Sequence, residues 1–386
     1  MSSLLSRFRK WAQRRHCVWL DTATGGGKSL LAAEPVRVFR AKGERDTFSR
    51  LARELADFSG YAIGYFGYDL KNQLERLPAR AVDDLGLPDC WFGFYDEVMV
   101  APAEPATPAS ASEAPLPAQW TEAASEKAFL AAVEKAKEYI AAGDIYQVNL
   151  SRRFECAVNV PSPVLYERLR AANPAPYAAY LDIGEAQILS SSPECFLRMR
   201  GREVITRPIK GTRPRQDDPM ELLQSPKDQA ELLMITDLER NDLGRVCEFG
   251  SVHVPELRRV ETYATVHHLV ATVAGRLREG VSHLDCVRAC FPGGSITGAP
   301  KIRAMEIIDE LEPVARGVYC GAIGYFGPNG ESEFNIAIRT VVVKNGRAYF
   351  HAGAGIVADS DPAAEHVEVL AKARGMMEAL RDVGVS

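Results

Sequence analysis

The stretch APAEPATPASASEAPLPAQ, residues 101–119, constrains the architecture of this chain more than any other feature. It contains five prolines, many alanines and a single large apolar side chain, Leu116. Such a composition cannot bury a core, so we predict an extended and exposed connection. The connection separates an N-terminal α/β portion, residues 18–100, from a larger domain, residues 120–386.

A basic tail, residues 1–17, precedes the N-terminal portion. The first sixteen residues hold five Arg or Lys and no acid. An organelle transit peptide has this composition, and so does a plain basic extension. We favour the extension and expect a cytoplasmic protein.

The bulk composition excludes some classes of protein. A net charge of −5 argues against nucleic acid as a partner, because phosphate binding needs a concentrated basic face. Every apolar run falls short of the roughly 20 residues that a membrane helix requires. The eight cysteines include no CxxC pair, which predicts reduced and mostly buried thiols.

Strand-like runs occur in clusters and do not alternate strictly with helices. Runs at 18–21 and 36–40 are followed by a predicted helix at 47–58. After the connection, SEKAFLAAVEKAKEYIAAGD places Phe129 and Val133 on one helical stripe. Clustered strands favour an α+β fold over a doubly wound parallel sheet.

Residues 24–29, TGGGKS, resemble a phosphate-binding loop but lack its full pattern. The pattern requires a glycine five residues before Gly27, and that position is Thr22. Pro35 also interrupts the helix that should follow. We therefore predict a glycine hairpin between two strands and no nucleotide binding.

One helix is predicted to begin in SPKDQAELLM with acids on a single face. Ser225 is the expected N-cap, and Asp228 and Glu231 are i, i+3 neighbours. An ordinary explanation is that Asp228 complements the helix dipole and that Glu231 faces water.

A second helix, predicted in DSDPAAEHVEVLAKAR, repeats this arrangement. Asp361 is its expected N-cap, Glu365 and Glu368 are i, i+3, and Lys372 lies one turn further on. If the two acidic faces meet, they form an all-carboxylate site suited to Mg²⁺, which prefers oxygen ligands and often shares an anionic substrate.

Two glycine-rich loops open helices and could bring backbone N–H groups close to an anion. One is FPGGSITGAPK, and the other is HAGAGIVADSDP with Gly353 and Gly355. We expect Tyr319 and Arg339 on flanking strands, where the arginine could take a carboxylate through two hydrogen bonds. Together with the acids and a lysine, these groups suit a small dianionic substrate.

Ordered blocks of residues 120–386 resemble the chorismate-utilising enzymes, and residues before the connection resemble them more weakly. These blocks read GDIYQVNLSRRF, SSSPECFLR, TRPIKGTRPR, DLERNDLGRV, VHHLV, FPGGSITGAPKIRAMEIIDELEP and AGAGIVADSDPAAEHVEVLAKA. The resemblance implies an α+β fold of two interleaved α/β halves with face-to-face antiparallel sheets and helices outside. It also implies Mg²⁺ and a chorismate site in a cleft.

Two positions separate the chemistries within this family. Members that add water carry a lysine in the motif that here reads YQVNLSR, where this chain has Gln147. Anthranilate synthases carry alanine in the PIxGT loop, where this chain has Lys210. The resemblance therefore implies the branch that aminates chorismate at C4 on the route to p-aminobenzoate and folate, with anthranilate synthase component I as the alternative.

The resemblance also implies roles for individual residues. Lys210 would be the covalent nucleophile, Glu194 the general acid and His268 a further catalytic group. The expected ligands of Mg²⁺ are Glu231 and Glu368 directly, and Asp228 and Glu365 through water. The expected substrate-binding residues are Ser295, Tyr319, Arg339, Gly353, Gly355 and Lys372.

The resemblance places the source of ammonia outside this chain. A glutamine amidotransferase needs its own cysteine domain, and no block of suitable length remains for one. We expect a separate glutaminase subunit as partner. The sequence leaves open whether a tryptophan binds near residues 173–181 and Leu20, as in some members.

Overall fold

The computed structural model of the chain describes residues 3–107, 120–263 and 266–381. Most of the predicted connection, residues 108–119, lies outside the described residues. No helix within the described ranges is long and apolar enough to cross a membrane. All eight cysteines are free and buried, as the sequence predicted.

The described residues form strands and helices with the following bounds. The strands are β1 Val18–Asp21, β2 Lys28–Ala32, β3 Arg37–Ala41, β4 Tyr61–Phe66, β5 Cys90–Tyr95, β6 Met99–Pro102, β7 Thr121–Glu122, β8 Gln147–Ala157, β9 Tyr177–Asp182, β10 Gln187–Ser192, β11 Cys195–Arg200, β12 Glu203–Arg207, β13 Ile209–Pro214, β14 His253–Thr262, β15 Val266–Arg276, β16 Gly298–Ala299, β17 Ala322–Gly327, β18 Glu331–Asn335, β19 Thr340–Lys344 and β20 Arg347–Ile356. The α-helices are α1 Leu4–Trp11, α2 Thr47–Ala56, α3 Lys71–Leu74, α4 Glu126–Ala141, α5 Ser162–Ala172, α6 Met220–Gln224, α7 Pro226–Gly244, α8 His283–Cys290, α9 Lys301–Leu311 and α10 Pro362–Ala379.

The strands build two antiparallel sheets, which confirms the predicted α+β class. One sheet has the order β16-β8-β20-β19-β10-β9-β1-β2-β6, with β7 beside β8. The other has the order β13-β15-β12-β11-β18-β17-β4-β5-β3, with β14 beside β15. Strands from before and after residues 101–119 lie in both sheets, so the two parts of the chain share one framework.

One buried cluster joins side chains of both sheets, including Val18 of β1 and Trp91 of β5. Helices pack against the outer surfaces: α7 contacts β13 and β15, and α10 contacts β20 and α5. Burial of this apolar surface is the main favourable term that holds the sheets together. The two sheets thereby bring β13 and β20, which are distant in sequence, near each other.

Two local predictions concern the N-terminal portion. Residues 25–27 have φ of 75°, 85° and 82°, and they join β1 to β2 in an antiparallel pair. The glycine hairpin is therefore confirmed. Within the predicted basic tail, α1 places Phe8 against Trp19, with ring centroids 4.8 Å apart.

Candidate active site

A cavity of about 690 Å³ lies where β13, β20, α7 and α10 converge. Most of the residues predicted for the site line it: Glu194, Lys210, Asp228, Glu231, His268, Ser295, Tyr319, Arg339, Gly353, Gly355, Glu368 and Lys372. These residues come from segments that are far apart in the sequence, between positions 194 and 372. The tertiary fold therefore places the sequence motifs around one space.

A bulge in β13 directs Lys210 to this cavity. Lys210 and Thr212 pair with successive residues of β15, so Gly211 is an extra residue in the ladder. Gly211 has φ of 69°, and a Cβ there would lie 2.9 Å from Leu222 and 3.0 Å from Asp228. Glycine is required at this position, because both the conformation and the space exclude a side chain.

The amine of Lys210 has no carboxylate partner at ion-pair distance in the described part of the chain. Its Nζ donates a hydrogen bond to the backbone oxygen of Ser295 at 3.3 Å. Burial lowers the pKa of Lys210, against the opposing charges of Glu231 and Glu194. An amine with a lowered pKa is neutral, and so nucleophilic, at a lower pH than an exposed lysine.

Glu194 follows β10 and is buried, with 5% of its surface exposed. Burial raises the pKa of Glu194, while Ser295 and the charge of Lys210 act in the opposite direction. The Oγ of Ser295 is buried without a hydrogen bond of standard geometry to any described group. A carboxyl with a raised pKa holds its proton to a higher pH than an exposed glutamate, which favours a role as general acid.

His268 of β15 is a neutral ring at physiological pH. Its Nδ1 lies 2.9 Å from Thr212 Oγ1, and its Nε2 is buried without a partner among the described residues. Burial, reinforced by the charge of Arg339, lowers the pKa of His268 to about 3. His268 can therefore exchange hydrogen bonds with a substrate without carrying charge.

The prediction that Tyr319 and Arg339 lie on strands is wrong. Tyr319 lies in the turn before β17, and Arg339 lies in the loop before β19 with φ of 50°. This left-handed conformation departs from strand geometry, so Arg339 stands outside the ladder. No ion pair ties its guanidinium to a described acid, and the Tyr319 ring stacks on His351 at 4.9 Å.

The glycines of β20 form the opposite wall. A Cβ at Gly353 would lie 2.7 Å from the backbone oxygen of Leu150, so a side chain there would displace the neighbouring strand. A Cβ at Gly355 would displace the side-chain amide of Gln147. The backbone oxygen of Gly353 accepts a hydrogen bond from Lys372 Nζ at 3.1 Å. Gln147 itself is buried behind this wall.

Two of the predicted metal ligands face the cavity from different helices. Glu231 lies on α7 and Glu368 lies on α10. Burial raises the pKa of Glu231, and the charge of Lys210 opposes this. Burial also acts to raise the pKa of Glu368, but Lys372, 2.7 Å away, brings that pKa below its ordinary value.

The other two predicted acids have partners within the protein. Asp228 lines the cavity, and its Oδ2 accepts a hydrogen bond from Arg213 at 3.0 Å. Glu365 is not among the lining residues, and its Oε1 accepts a hydrogen bond from Ser360 Oγ at 2.6 Å. The two helices therefore contribute one uncommitted acid, Glu231, and one acid shared with Lys372.

Glu231 and Glu368 suit a hard cation that keeps other ligands. No hydrogen bond or ion pair joins the Glu231 carboxylate to another side chain within the described ranges. Those ranges contain no group of three or more His, Cys, Asp or Glu side chains that could hold a metal alone. Mg²⁺ commonly uses one or two protein carboxylates and completes its shell with water and substrate oxygens.

Sequence reasoning missed two polar residues that line the cavity, Asn149 and Lys227. Asn149 of β8 has a buried Nδ2 without a partner among the described residues. Lys227 lines the cavity, and its charge acts on both Glu231 and Glu368. Asn149 lies two residues after Gln147 on the same strand, so strand alternation could have placed both on one face of the sheet. The position of Lys227 depends instead on how α7 packs.

Comparison with known proteins assigns the chain to a family. The family of chorismate binding enzymes matches residues 15–378. This chain belongs to that family.

The individual relatives bear two different names. The chain is 37% identical to aminodeoxychorismate synthase component 1 of Bacillus subtilis, over 98% of this chain and 94% of that protein. It is 42% identical to anthranilate synthase component 1 of Thermus thermophilus, over 92% of this chain and 85% of that protein. Overall identity does not separate the two activities.

A solved structure confirms the fold. Anthranilate synthase component I from Streptococcus pneumoniae TIGR4 superposes with a TM-score of 0.81 at 33% identity, over 91% of this chain and 92% of that chain. The two antiparallel sheets are therefore those of chorismate-utilising enzymes.

Proposed function

We propose that this chain aminates chorismate at C4 to give 4-amino-4-deoxychorismate. The observation that carries the proposal is Lys210: an amine without a carboxylate partner in the described part of the chain, in the cavity, beside a buried carboxyl group. The relatives named aminodeoxychorismate synthase component 1 support this choice.

The reaction runs as two linked displacements. The neutral Lys210 amine forms a bond to ring C2, the two ring double bonds shift, and the C4–O bond breaks. Glu194 gives its proton to the departing hydroxyl, which leaves as water. Ammonia then bonds to C4, the double bonds shift back, and the lysine leaves C2. The C4 ammonium then gives its extra proton to the Glu194 carboxylate. One ammonia has replaced one water, and both Lys210 and Glu194 are restored.

Glu231 and Glu368 would hold Mg²⁺, and Asp228, which lines the same cavity, would support them through water. Glu365, which the resemblance also implied, lies outside the lining and is bonded to Ser360. When bound, the ion supplies positive charge for the ring carboxylate of the substrate. Arg339 and Tyr319, with backbone near Gly353 and Gly355, bind the enolpyruvyl carboxylate at the other end.

Further groups orient the ring between these two ends. His268 and Ser295 exchange hydrogen bonds with the ring substituents, and Lys372 fixes the position of Glu368. Binding the dianion at both ends holds C2 against the Lys210 amine.

Ammonia would come from a separate glutaminase subunit. The words "component 1" in the names of the relatives support a second component. Ammonium salt can replace the partner in a test with the purified chain.

Anthranilate synthase is the second candidate, because relatives of that name are 42% identical. Incubation with chorismate, Mg²⁺ and ammonium salt separates the two activities. We expect aminodeoxychorismate by mass spectrometry, and p-aminobenzoate once a lyase is added. Anthranilate fluorescence without added lyase would contradict the proposal.

A trapping experiment tests the lysine itself. With chorismate and Mg²⁺ but no ammonia, we expect the intact protein to gain the mass of chorismate less one water. Peptide mapping should locate that mass on Lys210, and its appearance on another residue would refute the assignment.

A further inference from the structure

We infer that the buried ion pair Arg316–Glu312 is a positioning element of the active site. It ties together three walls of the cavity without lining the cavity itself. This inference rests on the function proposed above.

Both side chains of the pair are almost fully buried although both are charged. The Arg316 side chain is 1% exposed and that of Glu312 is 5% exposed. Arg316 Nε donates to Glu312 Oε2 at 2.8 Å, and Nη2 donates to Oε1 at 2.7 Å. A buried pair of this kind is weak evidence for stability, because desolvation offsets most of the attraction.

The remaining donors of Arg316 explain what the pair does. Nη1 donates to the backbone oxygen of Ile296 at 3.0 Å. Nη2 also donates to the backbone oxygen of Asn149 at 2.7 Å. The first contact fixes the turn that carries Ser295, and the second fixes the strand whose Asn149 side chain lines the cavity.

The third wall is the turn that carries Tyr319. The backbone N–H of Tyr319 donates to the oxygen of Arg316 at 3.0 Å, and the guanidinium lies 5.6 Å from the centre of the Tyr319 ring. The guanidinium therefore donates hydrogen bonds to two of the three segments and lies against the ring that the third carries.

Glu312 extends the same network to His351. Its Oε1 accepts from the backbone N–H and the Oγ of Ser151 at 2.7 and 2.9 Å. Ser151 Oγ lies 3.4 Å from His351 Nδ1, and the His351 ring stacks on Tyr319. Polar networks of this kind restrict a core to one arrangement when all members are satisfied.

The consequence for catalysis concerns Lys210 and Glu194. The Ser295 backbone oxygen accepts from Lys210, and its hydroxyl lies beside Glu194. If Ile296 loses its donor, this turn can shift and admit water. A displacement of about 1 Å at reacting groups can cost roughly 10²-fold in rate.

The test replaces both partners at once. The double variant Glu312→Met, Arg316→Met leaves no unpaired buried charge, although Ile296, Asn149 and Ser151 lose hydrogen-bond partners. Its thermal midpoint should therefore lie between that of Arg316→Met and that of the wild-type chain. We expect kcat with ammonium salt to stay roughly 10- to 100-fold below wild type, with a smaller change in KM for chorismate.

The matched control is another buried pair, Arg170–Asp21, whose side chains are 7% and 0% exposed. Neither residue lines the catalytic cavity, and the hydrogen bonds of the Arg170 guanidinium go to Asp21 and to the backbone oxygen of Glu104. The double variant Asp21→Met, Arg170→Met should recover stability in the same way and keep the wild-type kcat. If the Glu312 and Arg316 double variant recovers both stability and kcat, the pair is only structural and the inference is wrong.

A second readout does not depend on the reaction. The pH midpoint for labelling of Lys210 by an amine-reactive reagent should lie below that of exposed Lys135, and should rise in the double Met variant. An unchanged labelling midpoint in the double Met variant would refute the inference, whatever product the wild-type chain makes. A wild-type chain that makes no aminodeoxychorismate would refute the proposed function alone. If the double variant does not fold, Arg316→Lys replaces it, and an unchanged kcat and midpoint would again overturn the inference.

Discussion

The catalytic cavity and a second, larger cavity differ in whether all of their charged side chains have ion-pair partners. The second cavity, about 900 Å³, lies between the sheets and is lined by residues near Leu20, Tyr177 and Tyr325. Each charged side chain that lines it has an ion-pair partner, as in Lys28–Glu331 at 2.5 Å and Arg198–Glu333 at 2.5 Å. In the catalytic cavity, Lys210 and Arg339 have no such partner in the part of the chain that the structure describes.

This difference teaches that polar and charged groups without partners in the protein identify the reactive site, whereas cavity volume does not. Buried polar groups normally find partners within the protein, so a concentration of exceptions requires an external explanation. Ser295 Oγ, His268 Nε2 and Asn149 Nδ2 are all buried around the smaller cavity, without a hydrogen bond of standard geometry to any described residue. A dianionic substrate and a cation would meet these demands together.

The largest effect is expected when the lysines of the two cavities are exchanged for alanine. Lys210→Ala should lower kcat by on the order of 10³-fold, because the amine that forms the bond to C2 is removed. Lys28→Ala, which removes a paired lysine from the second cavity, should leave kcat within about twofold. The measurement is initial-rate formation of aminodeoxychorismate, and equal effects of the two variants would abolish the distinction between the cavities.

The acids offer the next comparison. Glu194→Gln removes the proton donor and should lower kcat roughly 10²- to 10⁴-fold without loss of chorismate binding. Glu333→Gln removes a carboxylate that is paired with Arg198 and should have little effect on kcat. Steady-state kinetics with chorismate binding measured separately test both. A Glu194→Gln variant with wild-type kcat would assign the proton to another group.

A smaller effect is expected at the predicted metal ligands. Glu231→Gln should raise the Mg²⁺ concentration for half-maximal rate by at least ~10-fold. Loss of a group that only supports a metal ligand already costs about 10-fold or more in metal affinity, and Glu231 is expected to be a direct ligand. Calorimetric titration of Mg²⁺ into the chain gives the same comparison without turnover. Chelator should abolish the wild-type rate and added Mg²⁺ should restore it; Glu331→Gln is the control and should bind Mg²⁺ as wild type does.

The smallest effect concerns stability and pH at His268. Its folded pKa of about 3 lies below the ordinary value of ~6.5. Between these values the unfolded chain binds the extra proton, so stability falls as pH drops from about 6.5 to about 3, by at most ~1.4 kcal/mol per pH unit. Urea unfolding should show a shallower acid loss for His268→Asn. If the free energy of unfolding depends on pH in the same way for the wild-type chain and for His268→Asn, the pKa of His268 is not lowered by folding.

Much of the local structure could be predicted from sequence. Ser225 and Asp361 cap their helices as expected, accepting hydrogen bonds from the N–H groups of Asp228 and Ala364. The glycine hairpin at 25–27 was predicted because Thr22 stands where a phosphate-binding loop requires glycine. These features depend on a few neighbouring residues, and short-range geometry is what residue spacing encodes.

The partners of individual site residues could not be predicted. Glu365 and Glu368 share a helical spacing, yet Glu365 bonds to Ser360 while Glu368 faces the cavity. The turn positions of Tyr319 and Arg339 were also missed. Such outcomes depend on which segment packs against a face, and periodicity identifies the face but not its neighbour.

The sequence alone determined the fold class, the capped acidic helices and the presence of a lysine in the PIKGT loop. Only the tertiary structure decided that Lys210, Glu194, Glu231 and Glu368 surround one space, and that Arg316 joins its walls. The physical reason is range: caps, turns and stripes arise from contacts within a few residues. The reactivity of a buried amine arises instead from the water excluded and the charges placed around it by segments far away in the chain.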